Sequence, residues 1–153
     1  MSVPLKERYF DDYAKGEVFE MGDYLVTREE ILDFAGRYDP QAFHLDEAAA
    51  RESIFGGLIA SGWMTCSILM RMLVDGFISP VSSMGSPGVD EIRWLKPVRP
   101  GDRLRARVTV VDTRRSTSRP DRGIIHFHQQ AINQDDEVVL SMRGMGMSKC
   151  RPS

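Results

Sequence analysis

A chain of 153 residues has the size of one domain and can bury a core without disulfide or metal staples. With 42% hydrophobic and 27% charged residues it lies outside the disordered and collagen-like classes, and a formal net charge of -2 lacks the basic excess of a nucleic-acid binder. The longest apolar stretch, Gly62 to Val74, is broken by Thr65, Ser67 and Arg71 and falls short of the roughly 20 residues that cross a bilayer.

The N-terminal MSVPLKERYFDDY has no apolar core behind a basic head, so it does not read as a secretory signal. Cys66 and Cys150 read as unpaired thiols in a reducing compartment. A single cytoplasmic domain over residues 1–153 is expected, with no membrane or nucleic-acid partner. Thr27 with Glu30 forms a capping-box signature, and Ile31, Phe34, Ala35 and Tyr38 recur at helical spacing. Pro40 disfavours helical dihedrals at Asp39, which ends this helix and leaves Asp39 and His44 on an irregular connection. Asp46 is placed to cap a short second helix, and Ser61 a third that runs to about Asp75. The third helix is apolar around most of its circumference, which predicts burial on all sides.

From Val89 onward the pattern is that of strands, over residues 90–98, 103–110, 123–133 and 137–147. Leu104, Ala106, Val108 and Val110 alternate with Arg103, Arg105, Arg107 and Thr109, so one strand has a buried face and a basic outer face. A buried helix followed by antiparallel strands predicts an α+β fold with a sheet curled around that helix.

Asp39 and His44 are the most interesting pair for chemistry, because a carboxylate and an imidazole converging on one water can take a proton from one atom and deliver it to another. For such a pair alone, a helix cap and a surface histidine are the commoner outcome. Ser61-Gly62 opens the third helix, where free N–H groups and the positive dipole end can hold negative charge, although Gly62 can equally serve close packing. His126 and His128 share a strand face with no third metal ligand in sight, so no metal site is expected. The segment from Arg114 to Gly123 is a basic hairpin loop, most simply a solvated turn, whose arginines can also meet phosphates. Neither a phosphate-binding glycine loop nor a nucleophile elbow is present.

Together these residues resemble the MaoC-like dehydratases, which include the (R)-specific enoyl-CoA hydratases. The resemblance spans Tyr9 to about Met147 and rests on Asp39 and His44 separated by four residues, on Ser61-Gly62, and on the run from Trp94 to Pro97-Val98-Arg99-Pro100-Gly101-Asp102. Tyr38, Gln41 and Ala42 stand where the common pattern has Gly, Asn and Pro. The resemblance implies a hot-dog fold, a homodimer, and reversible addition of water to an enoyl thioester. Asp39, His44 and Gly62 would be catalytic, and Gln41, Phe43, Ser61 and Trp63 would bind substrate. No cofactor is implied beyond the coenzyme A or carrier-protein arm of the substrate itself. Thioester hydrolysis and non-catalytic acyl-thioester binding are the alternatives.

Overall fold

The computed structural model describes residues 2–153. Five strands, β1 (Val18–Leu25), β2 (Val89–Trp94), β3 (Arg103–Arg115), β4 (Arg122–Ile132) and β5 (Val138–Lys149), form one antiparallel sheet in the order β1-β3-β4-β5-β2. Four helices, α1 (Arg28–Tyr38), α2 (Ala42–Leu45), α3 (Glu47–Glu52) and α4 (Gly62–Gly76), lie between β1 and β2 in the chain. No helix among the described residues is long and apolar enough to cross a membrane.

The period-2 pattern of β3 places Leu104, Ala106, Val108 and Val110 on one buried face, joined by Ile125 and Ala131 of β4 and Leu140 and Met142 of β5. Met64, Ile68, Leu69, Met72 and Leu73 of α4 belong to the same apolar core, at spacings that make one helix face. Burying each of the larger side chains contributes about 1.5–3 kcal/mol. The sheet thus wraps α4, the hot-dog arrangement that the resemblance implies. Curling β1 over α4 requires a register shift between Met21 and Tyr24, where Gly22 has φ +87° and a Cβ would stand 2.5 Å from the Met72 sulphur.

Three sequence expectations need correction. The sheet covers α4 on one side only, so Trp63, Met70 and Val74 stay 56%, 50% and 48% exposed instead of buried. The strand expected over residues 90–98 ends at Trp94, because Pro97 and Pro100 supply no N–H to a ladder; the Leu95 and Lys96 amides both reach the Val139 carbonyl. The basic loop is also shorter than its sequence implies. β3 runs to Arg115 and β4 starts at Arg122, leaving Ser116–Asp121 as the turn, with Arg122 paired to Asp121. On the outer face the arginines of β3 meet carboxylates: Arg107 lies 2.9 Å from Glu20, Arg103 3.2 Å from Asp23 and Arg105 3.0 Å from Asp136.

The caps fall where the sequence puts them. Asp46 Oδ1 accepts from the Ala48 and Ala49 amides, and Thr27 Oγ1 accepts from the Glu30 amide at 3.2 Å. The return arm of the Thr27 capping box is not made, since the Glu30 carboxylate takes the Tyr24 hydroxyl. Thr27→Ala is therefore expected to cost about 1 kcal/mol of stability, read as a lower urea midpoint with unchanged slope.

Candidate active site

The end of α1 creates the site. The Asp39 amide still donates to the Ala35 carbonyl at 2.9 Å, but Pro40 cannot continue the helix, and Asp39 turns out at φ -151°. Where sequence reading leaves an irregular connection, the chain forms the single turn α2, which buries His44 to 4% exposure. Asp46 closes this turn and caps α3 at once.

The two side chains meet: His44 Nε2 lies 3.2 Å from Asp39 Oδ2. The other ring nitrogen, Nδ1, lies 2.8 Å from the Ile59 carbonyl oxygen, an acceptor only, so Nδ1 carries a hydrogen and Nε2 is the atom that faces the carboxylate. Phe43 packs edge-on against the imidazole at 4.5 Å and fixes the ring from the side. Asp39 is held just as firmly. Gln41 Nε2 donates to Oδ1 at 2.6 Å and Ser61 Oγ donates to Oδ2 at 2.8 Å.

Burial pushes the Asp39 carboxyl up, but the hydrogen bonds from Gln41 and Ser61, with the facing His44, more than offset it and hold the group below the ordinary carboxylate range. A carboxyl depressed in the folded state stabilises the fold above its unfolded pKa, and that stabilisation is lost as pH falls through the folded value. The stability difference between wild type and Asp39→Asn is thus expected to shrink from about pH 5 downward, as urea unfolding across that range measures. Parallel pH curves would contradict this electrostatic account of Asp39.

Ser61 joins the pair to α4, since its hydroxyl also accepts from the Trp63 amide at 3.3 Å as the helix cap. That cap leaves the Gly62 N–H, the first of the helix, with no intrahelical carbonyl to meet. A groove of about 490 Å³ runs past these groups, lined by Asp39, His44, Gly62, Phe43 and Trp63, by Trp94 and Val98 of the run that carries the resemblance, and by Phe55, Ile59 and Thr65, which sequence reading gave no role in the site. Gln41 and Ser61 are not among its lining residues; both sit behind Asp39 and hold it. Tyr38 is exposed, and its ring packs at a tilt against Phe34 with centroids 5.1 Å apart. The Pro97–Asp102 run pins the opposite wall through the Ala60 amide, which donates to the Val98 carbonyl at 2.8 Å.

The arrangement offers a carboxylate and an imidazole on one side of an apolar groove and a helix N-terminus on another. Among the described residues no group of three or more His, Cys, Asp or Glu is placed to hold a metal ion. His128 instead lies 2.8 Å from the Ser141 hydroxyl on the outer face of the sheet.

A family model for the MaoC like domain matches residues 13–126. The chain belongs to the MaoC-like family. The crystal structure of the MaoC-like dehydratase from Rhodospirillum rubrum superposes with a TM-score of 0.90 at 41% identity, covering 95% of this chain and 99% of that one. Mesaconyl-CoA hydratase of Cereibacter sphaeroides is 38% identical over an alignment of 151 residues, with 88% of this MaoC-like chain and 39% of that longer protein covered. A Mycobacterium tuberculosis protein with a double hot-dog fold matches with a TM-score of 0.79 at 20% identity, over 99% of this chain and 47% of its own, and speaks for the fold alone.

Proposed function

We propose that this MaoC-like protein is a hydro-lyase that adds water reversibly to a trans-2-enoyl thioester, with Asp39 and His44 as its acid/base pair. The observation that carries the reading is the 3.2 Å contact between Asp39 Oδ2 and His44 Nε2 on the wall of an apolar groove that also contains the start of α4. A water held between the two side chains attacks the β-carbon of the substrate. Its oxygen forms the new carbon–oxygen bond, and the electron pair of the double bond moves toward the thioester, giving an enolate. One proton leaves the water to the pair, and one is delivered to the α-carbon; dehydration reverses each step. The enolate oxygen takes the Gly62 N–H at the positive end of α4.

Coenzyme A or a carrier-protein arm serves as the thiol of the substrate, and Lys96, whose ammonium is paired with Glu137, lies on the groove wall. A second copy of the chain covers the apolar strip formed by Trp63, Met70 and Val74 of α4 and by Val89 and Trp94 of the edge strand β2. This pairing gives a homodimer, which sedimentation in solution would report and a purely monomeric protein would refute.

A panel of trans-2-enoyl-CoA esters tests the reaction, with loss of the conjugated thioester absorbance followed while a thiol reagent reports free coenzyme A. Absorbance loss without thiol is the expected result. Thiol release would make the protein a thioesterase, and tight binding without turnover would make it a binding subunit.

A further inference from the structure

Trp94 lines the groove of the dyad and packs over the start of α4. Gly62, Cys66, Met70 and Leu73 recur at helical spacing and form one stripe of the helix. At the head of this stripe the Trp94 indole closes over Gly62, with ring atoms 2.5 Å from where a Cβ would stand. Trp63 meets the same indole edge-on at 5.2 Å. Further along the stripe a second cavity of about 250 Å³ opens, lined by Met70, Leu73, Phe77, Phe127 and Met142. It has room because Gly144 and Gly146, on the inner face of β5, carry no side chains.

Gly62 lines the first cavity and Met70 and Leu73 the second, so both lie on one helix stripe, with the Trp94 indole over its head. An acyl tail whose thioester oxygen sits at Gly62 can follow the stripe only if the indole swings away from Gly62 and Trp63. We infer that Trp94 is the residue that sets acyl length: it confines the tail to the first cavity, selects short enoyl thioesters of the crotonyl class, and shuts medium chains out of the apolar space beyond. This rests on the hydro-lyase reading of the site.

The test compares crotonyl-CoA with trans-2-octenoyl-CoA in the wild type, in Trp94→Ala, and in Trp94→Leu, which keeps apolar bulk at the sheet edge should the alanine variant not fold. The wild type is expected to prefer crotonyl-CoA in kcat/KM by about a hundredfold, and the variants to raise the octenoyl-to-crotonyl ratio by about tenfold or more. A wild type that turns over both equally, or folded variants with an unchanged ratio, would overturn the inference. Turnover of neither ester would instead remove the hydro-lyase reading. Calorimetric binding of butanoyl-CoA and octanoyl-CoA to the wild type then still decides the length limit: weaker octanoyl binding upholds it, and equal or tighter binding overturns it.

Discussion

His44→Ala is expected to lower kcat/KM for enoyl-thioester hydration about a thousandfold, within the range that a positioned acid/base group contributes. The imidazole faces Asp39 Oδ2 with a ring nitrogen, at 3.2 Å, and its orientation is set from behind by the Ile59 carbonyl. Removing it leaves that buried carbonyl without its partner, which adds about 1–3 kcal/mol of destabilisation. Rate and stability must therefore be read separately, with kcat taken at a temperature where circular dichroism shows the variant folded. A folded variant within tenfold of wild type would assign the chemistry elsewhere.

Gly62→Ala is expected to lower kcat by about a hundredfold, the order associated with displacing a catalytic group by roughly 1 Å. The N–H survives this substitution, so the loss is one of position. The new methyl group meets the Trp94 ring atoms at 2.5 Å, and either the indole leaves its place or the start of α4 retreats from the groove. Combining Gly62→Ala with Trp94→Ala removes the collision, so the pair is expected to be non-additive, with the double variant faster than Gly62→Ala alone. Additive losses would mean that Gly62 acts through something other than this contact.

Much of the site was legible because it is local. Pro40 dictates where α1 must stop, Asp46 and Ser61 announce their helices, and the five-residue offset from Asp39 to His44 is short enough to imply proximity. What stayed hidden depends on sheet register and on tertiary cover. Nothing near Trp94 in sequence places it over Gly62, because that follows from the pairing of Trp94 with Leu140 at the sheet edge. The Ile59 carbonyl that orients His44 is a backbone group, and no side-chain pattern signals it. The resemblance implies that Gln41 and Ser61 bind substrate, whereas their hydrogen bonds run to Asp39; a motif position alone does not tell a ligand contact from a support. The helix α4 is apolar all round, yet which side the sheet leaves open appears only once the strands are in place.

The hydro-lyase reading requires Asp39 to take part in water chemistry at an enoyl thioester. Its most direct test is the hydration rate of crotonyl-CoA by wild type and Asp39→Asn, a substitution that keeps the shape of the side chain, measured beside the calorimetric affinity of each protein for unreactive butanoyl-CoA. Hydration is expected to slow about a thousandfold in Asp39→Asn, with affinity changed by no more than a few-fold. Hydration by Asp39→Asn at the wild-type rate would contradict that reading.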